Sequence, residues 1–373
     1  MNIGIIGYGK MGKDIFSLFF DKLPDADFTV LEIADAEKNA AAVVKTLDKS
    51  LKRKKLSQEQ YDFKKTSFRF TDNVNDLKDC DIIIEAIFEN IQAKQDIFGK
   101  LGAIVSENCL LLTNTSSLGI SEVFKDIPHI ERCFGMHFFY PVKLTGFVEL
   151  NVLPETSADA LERAKALVCA GGKKPIVFSG KYHIYLNQLL SCMVAHAIYM
   201  QKRANVSVKE MSSALAPLFP VAEPFDVLDS VGLGLMGGNI GNFRIERNTA
   251  LLSYGNAEMK KWTDAGCPQT TLGFLDFMAE NEADTGNDCG NAQLDMAAFV
   301  LNEAVNALEE CGSDKETMWE AVVETLGLAE KPSYYYEKFG TDALFAALDR
   351  FAEETGFETY KHKDKSVWDK YFG

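Results

Sequence analysis

The spacing of apolar residues divides the chain into a first part with short strand-like runs and a second part with long helical ones. The runs of the first part are short, largely apolar and rich in β-branched or aromatic residues, as in strands that are covered on both faces. They read "NIGII" (2–6), "FTVLEI" (28–33), "CDIIIEAI" (80–87), "CLLLTNT" (109–115) and "CFGMHFF" (133–139). Helical patterns separate them, including a long one from Glu37 to about Lys55. Strands alternating with helices predict a doubly wound α/β sheet.

From about Lys181 the pattern changes to long helices, which predicts a domain boundary there. Within the helical part, 195–215 aligns with 302–322 at a shift of 107, and 224–232 aligns with 332–340 at a shift of 108. The sequence identity between the aligned segments is low, so chance similarity is the alternative to a duplication. Their order, spacing and helix–helix–proline pattern favour a duplicated helical domain.

These patterns predict three domains. They are a sheet domain at 1–181, an all-α domain at 182–286 and a second helical repeat at 287–373. The acidic, glycine-containing segment 274–290 lacks the spacing of a calcium loop, so it is interpreted as a linker.

Length, charge and cysteine usage narrow the class of protein. A chain of 373 residues is too long for one ordinary core. The net charge of −15 argues against nucleic acid or an anionic membrane as a main partner. The start "MNIGIIGYG" lacks the pattern of a signal peptide, and no apolar run approaches the roughly 20 residues of a membrane span. The eight scattered cysteines, without a C-x-x-C pair, predict reduced thiols in a cytoplasmic protein rather than disulfides or a metal site.

Three glycines, Gly7, Gly9 and Gly12, form a G-x-G-x-x-G motif between the first strand and its helix. The first suits a tight turn, the second lets backbone approach a pyrophosphate, and the third allows close helix–strand packing. Alone the motif is a weak signal, because glycine turns also occur for structural reasons. An acidic residue at the end of the second strand strengthens it, with Glu32 the better candidate and Asp35 the next. A Rossmann-type domain that prefers NAD to NADP is predicted, because a carboxylate binds the ribose hydroxyls and repels a 2′-phosphate.

A histidine and a glutamate lie in adjoining strand-like runs. His137 belongs to "CFGMHFF" and Glu149 to "FVELNV", and the turn "YPVKLTG" between them allows antiparallel pairing. A carboxylate bonded to one imidazole nitrogen sets the tautomer and leaves the other nitrogen as a base. A histidine taken alone is more often a satisfied core residue. The acid–base interpretation therefore depends on the glycine motif, Glu149, Ser116 and the order of the motifs. Polar residues after neighbouring strands are expected to line the same crevice, at the edge where such sheets bind ligands. They are Glu85, Glu89, Asn90, Asn114, Thr115, Ser116 and Ser117.

Several motifs resemble those of the L-3-hydroxyacyl-CoA dehydrogenase family in order and spacing. They are "GYGKMG", "IIIEAIFENIQAKQDIF", "TNTSSL", "GMHFFYPVKLTGFVEL" and "NQLL", within about residues 1–190. The resemblance implies an NAD-dependent oxidoreductase of fatty acid β-oxidation that interconverts (3S)-3-hydroxyacyl-CoA and 3-oxoacyl-CoA. The helical tail resembles the dehydrogenase part of multifunctional β-oxidation proteins.

The same resemblance implies roles for individual residues. His137 would be the general base and Glu149 its orienting carboxylate, while Ser116 and Asn187 would bind the reacting oxygen or the thioester. The positions that match the cofactor site are Glu89, Lys94 and Asn114. Ser50 and Lys54, the latter in the basic cluster 52–55, match positions that contact CoA. The alternative for this cluster is a solvated helix end.

Some residues depart from the family pattern. Tyr140 stands where the family usually has Asn, and "KYHIYLNQ" has Tyr182 and His183 in place of Gly and Phe, with Gln188 in place of Arg. Two alternative functions follow: an NAD-dependent dehydrogenase of a β-hydroxy acid without CoA, or a catalytically silent NAD-binding protein.

The repeated tail predicts the oligomeric state. The resemblance implies that, in related dehydrogenases with a single helical domain, these domains pair across a dimer interface. The second repeat has Leu294 where the first has Asn187, so it carries no copy of that asparagine. It is expected to cover the first repeat within the same chain. The prediction is a monomer or weak dimer, an intramolecular pseudo-dimer.

Overall fold

The computed structural model describes residues 1–240, 245–311 and 313–372, without the side chains of 239 and 240. The chain forms two compact units, Met1–His183 and Ile184–Gly373. Gly312, which lies inside the second of the aligned helical segments, is outside the described residues.

The first unit is built on one eight-stranded sheet. Its strands are β1 (Asn2–Ile6), β2 (Asp27–Leu31), β3 (Phe68–Thr71), β4 (Ile82–Glu85), β5 (Leu110–Thr113), β6 (Cys133–Phe138), β7 (Phe147–Val152) and β8 (Lys174–Ser179). They lie in the order β3-β2-β1-β4-β5-β6-β7-β8. Neighbouring strands are parallel except β6 and β7, which pair antiparallel. The predicted doubly wound α/β sheet is confirmed.

Six helices connect these strands in the described part of the first unit. They are α1 (Lys10–Lys22), α2 (Ala36–Lys52), α3 (Gln58–Thr66), α4 (Ile91–Ile104), α5 (Ile120–Val123) and α6 (Ala158–Ala170). On α1, Ile15, Phe16 and Phe19 recur at helical spacing and are buried in one core, which also contains Ile3 and Ile5 of β1. A second core contains Ile6 of the same strand. Both faces of the central strands are therefore covered, as their continuous apolar runs predict.

The second unit is helical in its described part. Its helices are α7 (Tyr185–Ala204), α8 (Val208–Leu215), α9 (Pro224–Val231), α10 (Leu233–Ile240), α11 (Thr249–Asp264), α12 (Phe274–Asn281), α13 (Ala292–Cys311), α14 (Lys315–Leu326), α15 (Pro332–Phe339), α16 (Thr341–Thr355) and α17 (Lys365–Phe372). Helices α7 and α13 both have 20 residues, and α9 and α15 both have 8 and begin at a proline. Their starting residues keep the offsets of 107 and 108 found in the sequence.

The interpretation of 274–290 as a linker is wrong in its first half. Residues Phe274–Asn281 form α12, whose Phe274 and Met278 are buried one turn apart. The carboxylate of Asp229 accepts hydrogen bonds from the backbone N–H groups of Gly273, Phe274 and Leu275 at 2.9, 2.7 and 3.2 Å. This cap comes from a residue distant in the chain, so the local sequence contains no sign of it.

Two further observations concern helices and thiols. None of the helices in residues 1–240, 245–311 and 313–372 is both long and apolar enough to cross a membrane. All eight cysteines are free thiols, and five of them are buried.

Candidate active site

The three glycines of the motif have the backbone surroundings that a dinucleotide site requires. Gly7 has φ +85°, and a Cβ there would lie 2.8 Å from the carbonyl oxygen of Ala86. A Cβ on Gly12 would lie 2.0 Å from the carbonyl oxygen of Gly7, so helix and strand approach too closely for any side chain. Gly9 differs, because a Cβ there would meet nothing within 4 Å. It is the N-cap of α1. Space is therefore open in front of a helix N-terminus, where a pyrophosphate fits.

The two acidic candidates at the end of β2 have different surroundings. Glu32 accepts hydrogen bonds from the backbone N–H of Tyr8 at 2.8 Å and from that of Ala34 at 3.0 Å. Its carboxylate is thus hydrogen-bonded to the glycine loop, residues 7–9, which connects β1 to α1. Asp35 precedes α2 with φ 57° and forms an exposed ion pair with Lys38. Of the two candidates, Glu32 is therefore the one that bonds the backbone between Gly7 and Gly9, and its contact with the cofactor stays a prediction.

His137 and Glu149 face each other across the antiparallel pair β6–β7. They are direct partners in the strand register, and Nδ1 of His137 lies 2.7 Å from Oε2 of Glu149. Both side chains are buried. The predicted antiparallel pairing is confirmed. With Nδ1 donating to the carboxylate, Nε2 is the ring nitrogen left with a lone pair, and the role of His137 as a base stays a prediction.

Glu89 holds the loop that carries Ser116. Its Oε1 accepts hydrogen bonds from the hydroxyl of Thr115 at 2.6 Å and from the backbone N–H groups of Ser116 and Ser117 at 2.9 and 3.0 Å. Burial opposes ionisation of this carboxyl, but the nearby ammonium of Lys94 and these hydrogen bonds outweigh it and lower the pKa of Glu89. The ionised carboxylate of Glu89 therefore holds the backbone of Ser116 in place. This role is separate from the cofactor contact that the family resemblance implies for Glu89.

Lys94 lies beneath this loop. Its Nζ is 2.6 Å from Oε1 of Glu85 and 3.4 Å from Oε2 of Glu89, and its side chain is 1% exposed. Glu85 is fully buried and also accepts a hydrogen bond from the hydroxyl of Thr113 at 2.6 Å. The sequence predicts Glu85 only as one of several polar groups that line the crevice. The structure places it beneath the surface, where its carboxylate bonds Lys94 and Thr113.

Asn114 connects two strand ends beside the His–Glu pair. Its Oδ1 accepts a hydrogen bond from the backbone N–H of Phe138 at 2.8 Å. Asn114 follows β5 and Phe138 ends β6, so the contact holds the residue next to His137. The resemblance implies a cofactor contact for Asn114, and this backbone bond is an additional role.

The two residues matched to CoA differ in their location. Ser50 lines a groove of about 680 Å³ between α1 and α2. Lys54, with φ 57°, is not among its lining residues, whereas the neighbouring Lys55 is. The other lysines that line the groove are Lys13, Lys64 and Lys143. Lys55 rather than Lys54 thus lines this groove, and the contact of Ser50 and Lys54 with CoA stays a prediction.

Asn187 belongs to the other compact unit. It lies in the first turn of α7 and is partly buried. Its predicted approach to the reacting oxygen stays a prediction, because His137 and Ser116 belong to the first unit.

The residues that depart from the family segment form structural contacts. Tyr182 is buried, and Nε2 of His183 lies 2.7 Å from the carbonyl oxygen of Val152. Burial lowers the pKa of His183. In the second unit, Oε1 of Gln188 accepts a hydrogen bond from the backbone N–H of Ile245 at 3.3 Å.

Comparison with known proteins agrees with this geometry. Residues 2–181 match the model of the 3-hydroxyacyl-CoA dehydrogenase, NAD binding domain. A 3-hydroxybutyryl-CoA dehydrogenase of Mycobacterium tuberculosis is 30% identical over 238 residues, which cover 62% of this chain and 82% of the relative. The chain belongs to the 3-hydroxyacyl-CoA dehydrogenase family. The family resemblance seen in the sequence is confirmed, and NAD is the cofactor of this dehydrogenase family's first domain.

Other relatives differ in length or share only the fold. The fatty acid oxidation complex subunit alpha of a Shewanella species is 31% identical over 237 residues. This match covers 61% of the chain but 32% of the relative, so the chain spans about a third of the length of such relatives. A crystal structure of 3-hydroxybutyryl-CoA dehydrogenase from Escherichia coli covers 99% of this chain and 98% of its own, with a TM-score of 0.81 and 17% identity. That likeness concerns the fold alone, because the sequence identity is low.

Proposed function

We propose that this protein interconverts (3S)-3-hydroxyacyl-CoA and 3-oxoacyl-CoA with NAD. The observation that carries the proposal is the 2.7 Å contact between Nδ1 of His137 and Oε2 of Glu149. This buried pair lies in β6 and β7, and β6 ends at the same edge of the parallel sheet as β1, which leads into the glycine loop. A base and a dinucleotide site that share one sheet edge suit the oxidation of an alcohol.

Each of the candidate residues has a separate role in that reaction. NAD, when bound, supplies the hydride acceptor, or as NADH the donor. Nε2 of His137 takes the proton of the 3-hydroxyl group. The carboxylate of Glu149 then balances the charge of the imidazolium, and its hydrogen bond to Nδ1 keeps Nε2 directed toward the substrate. Ser116, held by Glu89, hydrogen-bonds the reacting oxygen or the thioester, as does Asn187.

The groove between α1 and α2 supports a CoA substrate rather than a free acid. CoA carries several phosphate charges, and two exposed lysines, Lys13 and Lys55, line the groove in a chain whose net charge is −15. Asp14 also lines it, Lys64 is buried, and Lys143 pairs with Asp21. Lysine ammonium groups bind phosphate as point charges. Ser50 and Lys55 are the contacts on the α2 side. This surface favours acyl-CoA over a β-hydroxy acid that lacks phosphates.

The test is NADH oxidation with 3-oxoacyl-CoA substrates of graded chain length, beside free 3-oxo acids of the same lengths. Turnover of the thioesters that His137→Gln abolishes is the expected result. Turnover of the free acids alone would identify the dehydrogenase of a substrate without CoA. Binding of NADH without turnover of any substrate would identify the catalytically silent protein.

We further infer that the two helical repeats pair within one chain. Nδ1 of His196 on α7 lies 2.9 Å from the hydroxyl of Tyr360, and Nδ2 of Asn248 lies 2.6 Å from Oε2 of Glu303 on α13. His196 and Glu303 are related by the offset of 107 residues. Asn248 and Tyr360 each end a short 3₁₀ helix, Glu246–Asn248 and Glu358–Tyr360. Each repeat thus contacts the same part of the other, as the two halves of a symmetric dimer do.

This reciprocity supports a monomer or weak dimer in which 287–373 covers the first helical repeat. An intramolecular partner acts at high effective concentration, so association with a second chain contributes little. Partnership with nucleic acid or membrane is not expected for so acidic a chain, and a cytoplasmic location stays a prediction.

A further inference from the structure

The first residue of α1 contacts the loop after β6. Lys10 follows Gly9 directly, and its Nζ lies 3.5 Å from the centroid of the Tyr140 ring. Tyr140 is half-exposed and comes three residues after His137. The side chain of Lys10 therefore joins the N-terminus of α1 to the loop that follows the catalytic strand.

An ammonium on an aromatic face is an oriented group. Such a contact is attractive even at an exposed site. A free lysine side chain loses rotamer entropy when it binds an anion. Because the ring already restricts Lys10, less of that entropy remains to be lost on binding. The same loop also contacts the far end of α1, where Nζ of Lys143 lies 3.6 Å from Oδ2 of Asp21 in an exposed pair. The position of the Tyr140 ring beside the start of α1 rests on the Lys10 contact.

We propose that Lys10 is the counter-ion of the NAD pyrophosphate and that Tyr140 is the residue that positions its ammonium group. The backbone N–H groups at the start of α1 and the helix dipole favour an anion in the open space next to Gly9. They supply only partial charge, whereas a pyrophosphate carries two negative charges. Lys10 is the side chain that brings a full positive charge to the first helical position.

The other lysine of this turn is directed elsewhere. Nζ of Lys13 lies 5.5 Å from the ring centroid of Tyr8, and Lys13 lines the groove between α1 and α2. Tyr140 replaces the Asn that the family usually has at this position. An aromatic ring can form a cation–π contact with the ammonium group of Lys10, and the amide of an Asn cannot.

The test measures dissociation constants for NADH and for ADP-ribose, which keeps the pyrophosphate and lacks the nicotinamide. Lys10→Leu should weaken both about ten-fold, a loss of about 1.4 kcal/mol for one charge contact. Lys10→Arg should keep most of the affinity. Tyr140→Leu should weaken both ligands about three-fold, and Tyr140→Phe should restore the wild-type value because the ring face remains. Lys22→Leu, the same change of charge at the other end of α1, is the matched control and should alter neither ligand.

A double substitution separates positioning from direct binding. In the Lys10→Leu background, Tyr140→Leu should cause no further loss, because Tyr140 acts only through the ammonium group. The ratio between wild type and Lys10→Leu should also shrink at high salt. Unchanged ADP-ribose binding by folded Lys10→Leu would overturn the assignment to the pyrophosphate. An equal effect of Tyr140→Leu with and without Lys10 would overturn the positioning role. Neither measurement involves an acyl-CoA, so the proposal stands or fails independently of the substrate.

Discussion

Replacing Glu149 by glutamine tests the acid–base pair with the least change of shape. Glu149 is fully buried and contacts Nδ1 of His137 at 2.7 Å, so an isosteric amide keeps the packing and removes the charge. We expect kcat to fall by about 10²–10³ while NADH binding is retained. The loss appears in kcat because the imidazolium that needs the carboxylate forms only as the proton moves.

The magnitude follows from the geometry. Two opposite charges about 4 Å apart interact by about 4 kcal/mol at an effective dielectric constant of about 20. At 1.36 kcal/mol for each factor of ten, this corresponds to about three powers of ten in rate. The amide oxygen of a glutamine still accepts the hydrogen bond from Nδ1, so part of the orientation is preserved. That residual bond sets the lower end of the expected range.

The assay is steady-state NADH oxidation with a 3-oxoacyl-CoA, together with the dissociation constant for NADH as a measure of the intact fold. Glu131→Gln is the matched control, because Glu131 forms an exposed pair with His129 at 3.3 Å and should leave kcat unchanged. Glu149→Gln combined with His137→Gln should lose less than the product of the two single losses, since the residues act as one unit. A folded Glu149→Gln protein within threefold of wild-type kcat would refute the dyad.

Three other predictions concern the cofactor, the tail and pH. Glu32→Ala should weaken NAD binding and narrow the preference for NAD over NADP, measured by dissociation constants, whereas Asp35→Ala should do neither; the reverse result would exchange their roles. Sedimentation equilibrium should show a monomer or weak dimer at low micromolar concentration, and the fragment 1–286 should be unstable; a tight dimer, or a soluble, monomeric and fully active fragment, would contradict the covering role of 287–373. Burial lowers the pKa of His196 from 6.5 to about 3, so the unfolded chain binds a proton there that the folded chain does not. This contribution to stability is complete above about pH 6.5 and is lost as the pH falls toward about 3, at roughly 1.4 kcal/mol per pH unit. Denaturant unfolding from pH 6.5 to pH 4 should therefore have a flatter pH dependence in His196→Gln, and an unchanged slope would show that another group is responsible.

Much of the fold was predictable because its signals are local. Continuous apolar runs mark strands that are covered on both faces, and β1, β2, β4, β5 and β6 lie at the predicted places. The strands that the pattern missed, β3 and β8, are edge strands with partly exposed side chains, and β8 contains a proline. An edge strand is buried less, so its composition differs less from that of a loop.

Part of the candidate site was predictable for the same reason. His137 and Glu149 are 12 residues apart in a hairpin, and a hairpin register follows from strand alternation and a short turn. The glycine motif likewise lies within one strand–turn–helix unit. In both cases the residues that must meet are close in the chain, so their spacing specifies their geometry.

The tertiary structure decided which distant groups share a bond. Glu89 holds a loop 26 residues away, Asp229 caps a helix 44 residues away, and Lys10 contacts the ring of Tyr140, which is 130 residues away. The order of the strands and the packing of the helices bring these side chains together, and neither is encoded in the spacing of residues along one element. The sequence by itself therefore determined the family, the cofactor motif and the positions of the His–Glu pair. Only the folded chain decided what anchors and orients them, because a hydrogen bond or cation–π contact depends on distances of a few ångströms between elements that the chain connects through long intervening segments.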